Sequence, residues 1–153
     1  MITIRREQPD DAHFIEALDR RLAEVIEAPA HDAEAVSAFQ RDFTASRHDA
    51  SLGEQATFVA LGESGERLGY VNVRSGRDEI SGDDCGYIAL LAVAPEAEGK
   101  GVARRLTEGA EDWSREQGHQ RLALDVFASN RRALAFYEKQ DFAPETLRMI
   151  KRL

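Results

Sequence analysis

The sequence predicts one mixed α/β domain, a sheet with helices on both faces, and three observations carry that reading. Residues 56–74 hold two apolar runs, "ATFVALG" and "LGYVNVR", joined by the turn-like "ESGER", which is the pattern of a hairpin. Residues 87–95, "YIALLAVAP", are apolar without alternation, as in a strand buried on both faces. From Val102 the apolar period becomes helical and a further strand follows, giving a β-α-β unit. At 153 residues the chain suits a single domain, 1–153, around one core.

The elements follow in order. "ITIRR" (2–6) alternates and predicts a first strand. Pro9, Asp10 and Asp11 form a helix start, with acids in the first turn. Phe14, Ile15, Leu18 and Leu22 recur at helical spacing until Pro29 intervenes. A second helix begins near Asp32, with Val36, Phe39 and Phe43 on one face. The hairpin comes next, then a polar connection over 75–86 and the buried strand. Val102, Leu106, Gly109, Ala110 and Trp113 share a face of the next helix, which Gly118 ends. "RLALDVF" (121–127) predicts a strand, Asn130 caps a short helix, and "TLRMIKRL" (146–153) predicts a final strand. The predicted order is β-α-α-β-β-β-α-β-α-β.

Charge and composition exclude several classes. The net charge of −8 is wrong for a surface that must neutralise phosphates, so nucleic acid is not an expected partner. No apolar run approaches the length of a membrane span, and "MITIRREQPDD" lacks the apolar stretch of a signal peptide. A cytoplasmic location is the expectation, and the lone Cys85, which cannot pair internally, agrees with it. His13, His31, His48 and His119 have no metal-ligand spacing, so no metal is expected. Asp78, Glu79, Asp83 and Asp84 cluster in the polar connection and point to a cationic partner.

The stretch "EGKGVA" (98–103) links the buried strand to a helix start. The first amides of a helix lack internal partners and carry the positive end of its dipole, so such a turn can cradle a phosphate. A tight turn that merely needs positive φ would use the same glycines. It is not a P-loop, because Gly101 is followed by Val102 and no Lys-Ser/Thr pair.

The order of elements, together with "APEAEGKGVARRL" and "SNRRALAFYEKQDF", resembles the GCN5-related N-acetyltransferase (GNAT) family. Its cradle motif, Gln/Arg-x-x-Gly-x-Gly/Ala, is matched at every position of 98–103 but the first, where Glu98 stands. Its Asn-x-x-Ala-x-x-Phe-Tyr motif is matched by Asn130, Ala133, Phe136 and Tyr137. The resemblance is sharp over 87–142 and looser before it.

That resemblance implies the GNAT fold with two central strands splayed apart, and acetyl-CoA as co-substrate. The main chain of Leu91, Ala92 and Val93 would pair with the pantetheine amides, and Val93 N–H would face the oxyanion. Amides of Glu98, Gly99, Lys100, Gly101, Val102 and Ala103 would hold the pyrophosphate. Asn130, Ala133, Phe136 and Tyr137 would line the far wall, with Tyr137 as general acid. The acceptor would be a primary amine on a small molecule or a peptide, attacking directly. Asp83 and Asp84 are candidates to meet it. The resemblance also implies pairing into a homodimer through the C-terminal strand or sheet edge. A non-catalytic acyl-CoA-binding module is the alternative.

Overall fold

A computed structural model describes residues 1–153. Five strands form one sheet in the order β1-β2-β3-β4-β5. They are β1 Thr3–Arg6, β2 Gln55–Leu61, β3 Arg67–Arg77, β4 Asp84–Val93 and β5 Leu122–Leu124. The first four form an antiparallel meander, and β5 joins β4 in parallel. The helices are α1 Ala12–Leu22, α2 Ala33–Ala45, α3 Val102–Glu116 and α4 Arg131–Lys139. The predicted hairpin is β2–β3, closed by Gly62 N donating to Glu66 O, with Gly65 at φ 80°.

Strand parity assigns the two faces. On β3 the even positions Tyr70, Asn72 and Arg74 look toward α1 and α2, where the Tyr70 hydroxyl bonds Asp19 and Arg74 bonds Ser46. The odd positions look toward α3, since a Cβ on Gly69 would stand 3.3 Å from Leu106. Val102, Leu106, Ala110 and Trp113 are at most 2% exposed, so the predicted stripe of α3 is the one that meets the sheet. Each large side chain so buried stabilises the fold by roughly 1.5–3 kcal/mol.

Helix starts follow the sequence. Asp32 caps α2 by accepting from Ala35 N at 2.8 Å, and Asn130 caps α4 by accepting from Ala133 N at 3.2 Å. Ahead of α1, a helical turn over Pro9–Asp11 buries the Asp11 side chain completely. Arg5 grips that carboxylate at 2.7 and 3.0 Å, Arg67 Nε at 2.7 Å and Gln8 N at 2.8 Å, which ties β1, β3 and the helix entry together.

The Arg5 hydrogen bonds hold the Asp11 carboxyl well below the usual carboxylate range, helped by Gln8 N–H and Arg67 and opposed by burial. Its folded pKa is depressed, so its contribution is present above the unfolded value of about 4 and is lost as pH falls through the acid range below it. Thermal denaturation of the wild type is expected to lose stability from about pH 4 downward. Asp11→Asn is expected to cost about 3–5 kcal/mol near neutrality. Its melting temperature should change less on acidification than the wild type's, and an equal acid dependence in both would refute the assignment.

The predicted final strand over 146–153 does not form. No main-chain hydrogen bond involves a donor beyond Phe142, and Leu147 and Met149 are 75% and 85% exposed. Alternation specifies a strand's faces but supplies no neighbour for it. Here β5 spans only Leu122–Leu124 rather than 121–127, too short an edge to pair the tail. The tail's hydrogen bond to the body comes from Arg152, which donates to Ala30 O at 3.1 Å.

Candidate active site

The cleft begins at an irregularity in β4. On β3, Val73 pairs with Ile88 but Asn72 pairs with Leu90, so Ala89 is an extra residue, a β-bulge. Gly86 N donates to Arg121 O, toward β5, while Ala94 N donates to Leu68 O, toward β3. Both are even-numbered, so the bulge has reversed the parity of the strand. By antiparallel alternation Leu90 and Ala92 direct their main chain at β3, and Leu91 and Val93 direct theirs at the opposite side. There β5 has gone: its pairing stops at Ile88 with Leu124. The splay predicted between the central strands is therefore present, and its open edge offers the N–H and C=O of Leu91 and Val93. Ala92, predicted to share that edge, has its main chain committed to β3.

The open edge runs into the glycine turn. Gly99 and Gly101 take φ of 76° and 83°, and Gly101 is the N-cap of α3 with no side chain capping the helix. No main-chain N–H from Gly99 through Arg104 finds a main-chain or side-chain acceptor; the first satisfied amide is Arg105, donating to Gly101 O at 3.2 Å. This run of free donors, which includes Lys100, Val102 and Ala103, opens on empty space beside both glycines. Such a nest at a helix N-terminus suits a diphosphate. Glu98 pairs its carboxylate with Arg132 on α4, Oε2 to NH1 at 2.9 Å, which offsets the repulsion its charge would exert on an anion.

That ion pair also places α4. Tyr137 lies five residues beyond Arg132, about 7.5 Å along the axis. Its ring meets Phe136 at 5.1 Å and Phe142 at 5.5 Å, both edge to face, and Phe142 packs on the core. The Tyr137 hydroxyl has no protein partner, and burial pushes its pKa up to about 12. Ala133 and Phe136 are half-buried on the same helix, and Asn130 spends its side-chain oxygen on the cap.

Asp83 and Asp84 do not reach the opening. Asp84 starts β4, five residues before the bulge and therefore roughly 17 Å away. Asp83 lies 3.8 Å from Arg121. Part of the acidic cluster is used internally: Asp78 accepts from Ile80 N and from Ser81, and Arg121 stands 3.5 Å from it, while Glu79 and Asp84 are exposed and unpaired. The cluster from which a cationic partner was expected therefore lies away from the opening. Cys85 is 3% exposed and burial pushes its thiol up, away from a nucleophile's thiolate. No group of three or more His, Cys, Asp or Glu side chains converges as a metal site.

Sequence reasoning missed a cluster at the other mouth of the cleft. Tyr87 donates from its hydroxyl to Asp125 Oδ2 at 2.7 Å, just past the end of β5. Burial first, and then that hydrogen bond, push the Tyr87 phenol up. Arg74, opposite Tyr87 in the sheet, stands 5.9 Å over its ring and 5.4 Å over that of Phe43 on α2. Phe39 and Phe127 pack edge to face beside it at 6.2 Å. These residues come from α2, β3, β4 and the β5–α4 loop, and no local spacing links them.

An open strand edge that leads into a nest of free amides has the chemistry to hold an extended ligand that carries phosphates. The chain belongs to the acetyltransferase (GNAT) family, whose sequence model matches residues 16–142. Streptothricin acetyltransferase of Streptomyces lavendulae is 31% identical, with 91% of this chain and 80% of that protein aligned. Aminoglycoside N(6')-acetyltransferase type 1 of Stenotrophomonas maltophilia is 31% identical over 63% of this chain and 65% of the relative. Against N-alpha-acetyltransferase 30 of Schizosaccharomyces pombe the identity is 39%, but the match spans only 38% of that protein. Among solved structures, a provisionally assigned acetyl transferase of Pyrococcus furiosus superimposes with a TM-score of 0.80 at 27% identity, covering 100% of both chains. The fold of AAC(6')-Iy, solved with a bisubstrate CoA analog, matches with a TM-score of 0.69 over 100% and 98% of the two chains at 18% identity. The family's activity is transfer of an acetyl group from acetyl-CoA to an amine. No helix is long and apolar enough to cross a membrane.

Proposed function

We propose that this chain acetylates a small primary amine, or less favourably a peptide amine, with the residues above in defined roles. The observation that carries the reading is the unbroken run of unsatisfied amides from Gly99 to Arg104 at the end of an open strand edge. Those amides hold the pyrophosphate of acetyl-CoA, and the main chain of Leu91 and Val93 pairs with its pantetheine arm as an added strand would. Acetyl-CoA supplies the thioester that is attacked.

The chain's own groups carry the rest. Asp125, whose Oδ1 is left free by Tyr87, holds the acceptor's ammonium and receives its proton. The nitrogen then forms a bond to the carbonyl carbon, and Val93 N–H stabilises the charge that develops on oxygen. Tyr137 donates its phenolic proton to the sulfur as the C–S bond breaks. The second proton that the nitrogen loses on becoming an amide passes through solvent to restore the phenol, while the first leaves Asp125 to bulk water. The names of relatives that act on streptothricin, aminoglycosides and peptidyl-lysine support an amine acceptor. A homodimer and a cytoplasmic setting fit this reading and are part of the proposal.

Calorimetry with CoA and thiol release from acetyl-CoA over a panel of primary amines test it. CoA binding with amine-dependent thiol release is expected. No heat at millimolar CoA would sink the reading. Binding without release under any amine would leave the non-catalytic module in its place.

A further inference from the structure

Arg74 is a buried cation that makes no ion pair in the fold; Asp49 acts on it only through space. It is 8% exposed, and its one hydrogen bond runs from NH1 to Ser46 Oγ at 3.0 Å. No carboxylate oxygen lies within 4.0 Å of it. Arg47, buried to the same degree, shows the ordinary arrangement: it pairs with Glu7 at 2.9 Å. Buried charges are normally paired, because removing an ion from water is expensive. Stacking on Phe43 and Tyr87 accounts for the faces of the guanidinium but leaves most of its in-plane donors unused.

A buried polar atom with no partner stands beside it. Asn72 is fully buried two residues away on the same face of β3. Its amide donates to Gln55 Oε1 and Thr57 Oγ1, both at 3.1 Å, while its Oδ1 has no partner. Opposite Arg74, Tyr87 leads through its hydroxyl to the Asp125 carboxylate. A fork of donors and a carboxylate thus flank one aromatic ring at the mouth of the splay.

We infer that the acceptor is a small amine that also bears an oxyanion, a carboxylate or a phosphate, and that Arg74 receives this group while Asp125 receives the amine. The inference rests on the amine-acetylating reading above and narrows its substrate class. A planar guanidinium fork binds either oxyanion in bidentate fashion. Streptothricin- or aminoglycoside-like polycations would not satisfy it.

The test measures acetyl-CoA thiol release with matched acceptor pairs: α-amino acids against their methyl esters, and phosphoethanolamine against ethanolamine. The anionic member of at least one pair is expected to show a kcat/KM about 10–100-fold higher, through KM. The pair that responds identifies carboxylate or phosphate. Arg74→Met should abolish the ratio and Arg74→Lys should retain part of it, both with unchanged CoA affinity by calorimetry. Should Arg74→Met not fold, thermal shift of the CoA-bound wild type with the same pairs gives the same answer, the anionic members alone raising the melting temperature. Equal rates or shifts within every pair, or a ratio that survives Arg74→Met, overturn the proposal. A wild type that binds no CoA would instead overturn the transferase reading on which it rests.

Discussion

Tyr137→Phe is expected to lower kcat by about 10²–10⁴-fold while leaving CoA affinity unchanged. The hydroxyl makes no hydrogen bond within the protein, so its loss strands no partner. The ring is held by Phe136 and Phe142 through contacts that phenylalanine reproduces. Stability should therefore hold, and the change should fall on the chemical step. With its pKa pushed up to about 12, the phenol stays protonated through the neutral range and is available as an acid. Because the group works as its protonated form, its own titration should not limit the wild-type rate below about pH 11. Steady-state kinetics beside calorimetry checks both halves. A variant within twofold of wild type would remove Tyr137 from the mechanism.

The second large effect is expected at Gly101. Its φ of 83° lies where a β-branched side chain is strained, by roughly 1–2 kcal/mol or more. Gly101→Val should relieve that strain by turning the peptide units on either side, and the free amides would then no longer converge. Hydrogen bonds to a charged group are worth about 1.5–3 kcal/mol each, so loss of one or two weakens CoA binding about 10²-fold. Gly118→Val is the matched control. Gly118 has the same φ of 83° and equally open surroundings, but sits beyond the other end of α3. Both variants should lose stability, and only Gly101→Val should lose CoA. Equal Kd values for the two would count against the cradle.

Local features of the site were legible in the sequence and assembled ones were not. The cradle could be read because its glycines and its helix are consecutive, and the structure leaves the amides from Gly99 onward unsatisfied. The stripe of α3, the helix start near Asp32 and the cap at Asn130 were legible for the same reason. The bulge at Ala89 has no signature, because alanine suits a regular strand as well as an irregular one. The Arg74, Tyr87 and Asp125 cluster joins residues up to 51 apart in number, and only the sheet brings them together. The polar connection misled because its carboxylates look free in a string of letters, whereas Asp78 is occupied by its own loop. The tail misled because alternation sets the faces of a strand and names no edge to receive it.

Ala89 bears one last implication. Count along β4 and every second amino acid belongs to the neighbour on the left; add one, and the tally swaps hands. Deleting Ala89 would restore an unbroken ladder with Leu90 to Val93 still facing as they do, and would remove the local bend and added twist that let β4 part from β5. The opening therefore depends on one surplus residue, and whatever amino acid supplies it can be varied more freely than its absence can be tolerated.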